Sequence, residues 1–391
     1  MRNRSDLTLA TLFAGMFVMG STELLVVGVL DLMAADLRVS IQAAGALVTA
    51  YALGLALGGP VLTALTIRLD RRVVLAAALA LFAVTTLVAV MTSSNALMLV
   101  ARTVTGTLQG VYIAAAFAVG GAVVPAARAG RAMAVVISGT TVSGALGVPL
   151  GTLAGQTLGW RGSFVAAVVL AVIALVATIA LVPSVPSAGS GVGSQLRHAF
   201  APPVLAVLAL TVLAFASVYA ALTYIVPFLA TVTGVSGGVV SVFLLAYGVA
   251  TAVGSFGGGR FADANAGRAL VVGTAGLAVS LLALQLFGAI ALVAGAAVLA
   301  SGLFAMGMAP SMQYRVVSLA GPGGSFAQSL PASAANVGIA LGSFAGGVAV
   351  GAVDVAAAVT TGLVIAVISI PVAAACSRLR PPVRQTTEVS L

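Results

Sequence analysis

The chain has 391 residues, 61% of them apolar and only 6% charged, against about 25% charged in an ordinary soluble domain, and a soluble fold cannot hide that much apolar surface, so a soluble enzyme is excluded. The net charge of +9 comes from arginine alone, set singly or in twos and threes between apolar runs, which reads as membrane topology and not as a nucleic-acid face. One cysteine, Cys376, and one histidine, His198, exclude an internal disulfide and a histidine-built metal site, so no metal or cofactor is expected beyond a proton gradient.

Apolar runs broken by charge or by Gly, Pro and Ser predict an all-α membrane protein of twelve spans. They fall near 9–30, 41–64, 73–92, 97–121, 133–155 and 163–182, then 204–228, 238–258, 269–289, 291–312, 327–350 and 355–376. Arg2 and Arg4 before the first run resemble the start of a secretory leader, but the run is span-length and no small-residue cleavage site follows, so it is read as the first span. Residues 183–203, with four prolines, read as a cytoplasmic linker between halves 1–182 and 204–391. With the N-terminus in the cytoplasm, fourteen arginines lie inside, only Arg38 and Arg161 lie outside, and Arg102 lies within a span. That bias predicts a multi-pass protein of the inner (cytoplasmic) membrane with both termini cytoplasmic. Since one chain carries both halves, a monomer suffices.

Features recur at a six-span offset. The connection after the second span holds Arg68, Asp70, Arg71 and Arg72; that after the eighth holds Gly259, Arg260, Asp263 and Arg268. Late in the fifth span lie Gly144, Gly147, Pro149 and Gly151; the eleventh carries Ser333, Asn336, Gly338, Gly342 and Gly346. Two pseudo-symmetric six-helix halves around a cavity near the bilayer midplane are expected.

Glu23 is the one carboxylate deep in a span. Insertion there costs at least a few kcal/mol, so the group is either paired permanently to hold the fold or exchanges protons with a cavity. In the fourth span, Arg102, Thr105, Gln109 and Tyr112 share one helical face, beside Gly106 and Gly110 as a close-packing track. Arg102 alone could snorkel to the outer interface; the stripe running two turns deeper favours a cavity wall. Met19 and Tyr51 join the candidate substrate wall. From the second half come Tyr219, Thr223 and Tyr224 in the seventh span, Tyr247 in the eighth, Phe304, Met308 and Met312 in the tenth, and Asn336 in the eleventh. Methionine and aromatic stripes serve packing as readily as ligands, so Asn336 is the better candidate among these. The Gly147, Pro149, Gly151 run lies inside a span and suits helix packing and a kink.

Four local motifs together resemble the major facilitator superfamily, within it the twelve-span drug:proton antiporters near the bacterial chloramphenicol-resistance and sugar-efflux proteins. They are the Gly20 to Glu23 segment, the Arg68, Asp70, Arg71, Arg72 loop, Arg102 with Gly106 and Gly110, and Gly147, Pro149 and Gly151 followed by Gly159, Trp160, Arg161 and Phe164. The resemblance implies Glu23 as the proton-exchanging acid and Arg102 as its basic partner. In one respect the chain departs from that pattern: where the family's first loop carries Gly and Asp, this chain has Thr63 and Ile67, whereas the second copy keeps Gly259 and Asp263. Asp70 is the acid available to stand in. The expected activity is proton-coupled efflux of a small neutral or amphipathic compound; the alternatives are sugar or metabolite efflux and, remotely, a non-transporting membrane receptor. Neither an enzymatic reaction nor a nucleic-acid partner is expected.

Overall fold

A computed structural model describes residues 2–125, 128–186, 201–320, 327 and 330–379. Most of the expected linker, 187–200, therefore lies outside the described residues, as do Arg197, Arg380 and Arg384. The described residues are helical, with short connections and no strand. In chain order the helices are α1 Arg2–Gly28, α2 Leu30–Leu37, α3 Ile41–Leu53, α4 Gly59–Leu65, α5 Arg71–Met91, α6 Asn95–Ala122, α7 Ala129–Val142 and α8 Val148–Leu181. There follow α9 Pro202–Leu222, α10 Ile225–Phe228, α11 Gly238–Phe287, α12 Ala291–Ala320, α13 Leu330–Ala352 and α14 Ala356–Arg378. Three π-helical turns, Gly54–Gly58, Ser143–Gly147 and Leu229–Thr233, interrupt the second, fifth and seventh crossings.

Local chemistry starts these helices where the chain leaves a connection. Ser40 accepts from the Ala43 amide at 3.1 Å, Asp70 from the Arg72 amide at 2.8 Å, and Ser94 from the Leu97 amide at 3.4 Å, each satisfying a first-turn donor. Among the described residues, eleven helical segments are long and apolar enough to cross a bilayer. One of them, Arg131–Leu181, has 51 residues, about 75 Å of helix, too much for one crossing of a hydrocarbon layer about 30 Å thick. It breaks at Gly159, φ 78° and ψ 156°, and carries two crossings, which makes twelve. The connection expected over about 156–162 is thus a single reversed residue. Likewise α11 holds two crossings that meet at Asn265, whose side chain accepts from the Arg268 amide at 2.9 Å.

The turn at Gly159 is tied on both sides. Trp160 Nε1 donates to Asp36 at 3.2 Å, Arg161 pairs with the same carboxylate, and the Arg161 Nε donates to the Val90 carbonyl at 2.9 Å. The ends of α2 and α5 are joined there to the break within α8, with the guanidinium 4.5 Å from the Trp160 ring centre.

Close backbone packing repeats at the six-span offset. A Cβ on Gly106 would lie 2.1 Å from the Tyr51 carbonyl, joining the fourth crossing to the second, and one on Gly258 would lie 2.1 Å from the Gly307 carbonyl, joining the eighth to the tenth. Gly139 meets Phe13 between the fifth and first crossings as Gly338 meets Val212 between the eleventh and seventh. The first six crossings meet the last six through α3 against α13 and through α7 and α8 against α11. At the membrane face opposite the N-terminus, the Tyr224 hydroxyl fits against Gly45 and Gly347, Gln42 against Gly351, and Gln156 Nε2 donates to the Gly237 carbonyl at 2.8 Å.

Only glycine adopts the Gly159 conformation without strain, so Gly159→Ala is expected to destabilise the fold by about 1–3 kcal/mol. Cys376, the single thiol, is buried. A thiol-reactive dye followed on heating in detergent should report an earlier transition in the variant.

Candidate functional site

The site forms where α1, α3 and α6 approach one another near mid-bundle. Residues 102, 105, 109 and 112 share a face of α6, and the glycines beside them let α3 come close enough for side chains to reach backbone. Arg102 is 3% exposed. Its Nη1 donates to the Thr22 carbonyl and its Nη2 to the Glu23 carbonyl, both at 3.0 Å, while its Nε donates to the Leu47 carbonyl at 3.5 Å. The guanidinium lies 4.1 Å from the Tyr51 ring centre, so a cation–π contact replaces part of its lost hydration.

Arg102 therefore grips the backbone of the acid's helix and not the acid. The half-buried Glu23 carboxylate accepts from Gln109 Nε2 at 2.8 Å, and Gln109 Oε1 in turn accepts from the Tyr51 hydroxyl. A relay of Tyr51, Gln109 and Glu23 thus links α3, α6 and α1. A neutral amide can hold a carboxyl in either protonation state, whereas a direct guanidinium pair would bind the ionised form far more tightly.

The other expected wall residues are placed as follows. Met19 is buried, and its carbonyl lies 3.4 Å from the Tyr51 hydroxyl. The Thr105 hydroxyl turns back onto the carbonyls of Ala101 and Arg102, and Tyr112 packs against Gly15, its hydroxyl donating to the Leu12 carbonyl at 3.5 Å. In the second set of crossings, Tyr219 and Tyr247 are both buried. Thr223 shares a 2.7 Å hydrogen bond with Ser343, and Tyr224 donates to the Ser343 carbonyl at 3.0 Å. Phe304 and Met308 pack on Gly276 and Gly273 of α11, away from Glu23's relay. Asn336 donates to Ala332 at 2.9 Å, and its buried Oδ1 has no partner among the described residues.

Of the expected motif residues, Gly147 and Gly151 pack on Ser21 and Leu25 of α1, with Pro149 between them in the first turn of α8. Arg68 is exposed, Arg71 donates to the Ile67 carbonyl at 3.2 Å, and Arg72 donates to the Ile179 carbonyl. Asp70 caps α5 and accepts from the Ser184 hydroxyl, so this acid is committed to its own half. A groove of about 670 Å³ beside Asp70, Arg72, Leu175 and Ile179 lies at this membrane edge and not at Glu23. Gly259 and Asp263 follow the eighth crossing within α11. The sequence reading missed Arg315 as a structural group: 8% exposed, it donates to the carbonyls of Cys376 and Leu379 and closes the end of α14. It lies three residues past the expected tenth span, 291–312, but inside α12, which runs on to Ala320.

The Ser184 hydroxyl, with the α5 amides of Arg72 and Val73, holds the Asp70 carboxyl below the usual carboxylate range. A lowered folded value contributes stability above the unfolded value and loses it as pH falls through the folded one. The stability gap between wild type and Asp70→Asn should therefore be full at neutral pH and close as the pH drops below the ordinary aspartate range, about 3.9. A gap that persists in acid would assign the effect to shape alone.

A family model of the Major Facilitator Superfamily matches residues 11–325. The chain is 32% identical over 353 residues to an uncharacterised transporter of that superfamily, YtbD of Bacillus subtilis, covering 88% of this chain and 89% of the relative. It is 29% identical over 341 residues to a chloramphenicol resistance protein of Streptomyces lividans, covering 86% and 87%. Its fold matches the crystal structure of a bacterial homologue of the human lysosomal transporter Spinster, in an inward-facing and unoccupied conformation, with a TM-score of 0.76, 16% identity and coverage of 97% and 98%. With twelve crossings, a packing scheme repeated at six, and this match over most of its length, the chain belongs to the Major Facilitator Superfamily, a multi-pass membrane transporter.

Proposed function

We propose that the protein exports a small neutral or amphipathic compound of the chloramphenicol kind in exchange for protons, by alternating access. The observation that carries this reading is the Glu23 site: a carboxyl at mid-bundle, held by the neutral Gln109, beside a buried Arg102 whose donors are engaged by backbone carbonyls. Such a group can lose and regain a proton without breaking an ion pair. Tyr51 and Tyr219 supply aromatic surface and hydroxyls near it, suited to an uncharged aromatic substrate. The chloramphenicol resistance protein of Streptomyces lividans supports the substrate class by its similarity.

The arginine distribution supports an inner-membrane protein with both termini in the cytoplasm. On that orientation the seam at Tyr224, Gln42 and Gln156 faces the periplasm and closes the bundle on that side. Proton and substrate then each bias one two-state equilibrium, and their coupling is reciprocal.

In a host lacking its own efflux pumps, expression is expected to raise resistance to chloramphenicol-like compounds; resistance to none, with sugar or metabolite efflux, would select the alternative substrate class. Glu23→Gln should reach the membrane in normal amount, lose uphill accumulation, and abolish substrate-induced proton release from purified protein. Persistent release by that variant would make Glu23 structural. Arg102→Ala should lose efflux, while Arg102→Lys, which keeps the charge but not the planar fork, should retain a fraction of it.

A further inference from the structure

Beside Arg102, helices α5, α6 and α8 enclose a small cavity whose walls include Thr86, Arg102 and Thr105 together with Met98, Trp160 and Phe164. The centre of a water molecule can occupy about 10 Å³ of it, close to the room one ordered water needs. Three side chains make this space polar. The Thr86 side chain is 2% exposed, and its Oγ1 has no hydrogen-bond partner among the described residues. Arg102 has five N–H donors, and the three carbonyls of Thr22, Glu23 and Leu47 leave some of them unused. The Thr105 hydroxyl donates within its own helix and keeps lone pairs to accept. A single molecule that both donates and accepts would find three partners, the usual number for a buried water.

We infer that this cavity is a binding site for one water molecule, held by Thr86, Arg102 and Thr105, which completes the solvation of the buried guanidinium on the α5 side. A cavity lined only by apolar groups of this size would stay dry; a buried hydroxyl without a partner would forfeit its desolvation cost for nothing. The consequence for transport rests on the proton-exchange reading. Arg102 touches the backbone at Glu23, so a water that fixes and partly screens the guanidinium sets the field the carboxyl experiences. Thr86 is then a positioning residue. The ionisable groups facing Arg102 are Glu23 from α1 and Tyr51 from α3, with Tyr219 beyond Glu23 across the seam. The walls from α5 and α8 bring Thr86, Trp160 and Phe164, none of them charged; Arg161, next to Trp160, is engaged by Asp36.

Microsecond X-ray radiolytic labelling of the purified full chain tests the site, because a bound water generates hydroxyl radical where it sits. Met98 and Phe164, 1% and 4% exposed, should label well above Met33, which is 0% exposed and packed in the apolar core. Thr86→Val, which keeps the side-chain shape but removes the hydroxyl, should lower Met98 and Phe164 labelling about tenfold, toward the Met33 level, whereas Thr86→Ser should preserve it. In the same preparations, Thr86→Val should shift the pH midpoint of substrate-induced proton release, and Thr86→Ser should restore it. Wild-type labelling at the Met33 level, or labelling unchanged in Thr86→Val, would overturn the water site. Labelling as expected in a protein that releases no protons would instead overturn the exchange reading and leave the water site standing.

Discussion

The arrangement depends on where the Arg102 guanidinium spends its hydrogen bonds. Burying that charge costs several kcal/mol unless donors find acceptors. Here the acceptors are carbonyls of Thr22, Glu23 and Leu47, with the Tyr51 ring beneath. The Leu47 carbonyl comes within reach because α6 lies nearly in contact with the second crossing, which the absence of side chains at Gly54, Gly59, Gly106 and Gly110 allows; the Thr22 and Glu23 carbonyls are presented by α1. The small-residue track and the buried cation are therefore one design: the first supplies proximity, the second uses it. Because the cation is satisfied by carbonyls, the carboxyl on α1 is left to the neutral amide of Gln109, as the proposed proton exchange needs.

This explains which parts of the site were legible in the sequence. A period of three and four placed Arg102, Thr105, Gln109 and Tyr112 on one face, and that face was found. Spacing, however, gives a direction and not a partner. Arg102 and Gln109 turn to α1 and α3, whereas Thr105 satisfies itself on its own helix and Tyr112 fills the notch at Gly15. The partners of Arg102 are backbone carbonyls, which no residue letter announces. The crossings were likewise visible as apolar runs, but not that 131–181 is continuous helix on both sides of one residue, since Gly159 is one glycine among 46 and only its backbone angles single it out. Arg315 was counted for topology alone; its burial at the end of α14 follows from tertiary contacts that charge counting does not contain.

The two sets of six crossings repeat their packing without repeating their chemistry. Gly106 on Tyr51 answers Gly258 on Gly307, and Gly139 on Phe13 answers Gly338 on Val212, so the helices of each set meet by the same small-residue contacts. The charged groups deep in a crossing, Glu23 and Arg102, belong to the first set. The facing crossings of the second bring phenols and hydroxyls: Tyr219, Thr223, Tyr224 and Ser343. Backbone geometry can be duplicated cheaply, but a second buried acid would add its own desolvation cost. The first loop follows the same logic of difference: with Ile67 in the acid's place, Asp70 bonds to Ser184, just past the sixth crossing, and Arg72 to Ile179 within it.

How strongly one proton could bias such a bundle depends on what it must outweigh. Among the described residues the ion pair is Arg161 with Asp36, and it joins helices of the first set to one another, not to the second. The seam between the sets is held by neutral contacts: Gln156 to the Gly237 carbonyl, Thr49 to the Ala340 carbonyl at 3.5 Å, and Tyr224 seated between Gly45 and Gly347. Neutral hydrogen bonds contribute about 1 kcal/mol each, and side chains seated on glycine can separate without leaving a buried charge behind. A change of one pH unit at a titrating group is worth about 1.4 kcal/mol. A single seam hydrogen bond and one unit of pH are thus of one size, whereas a seam laced with buried ion pairs would cost far more to open.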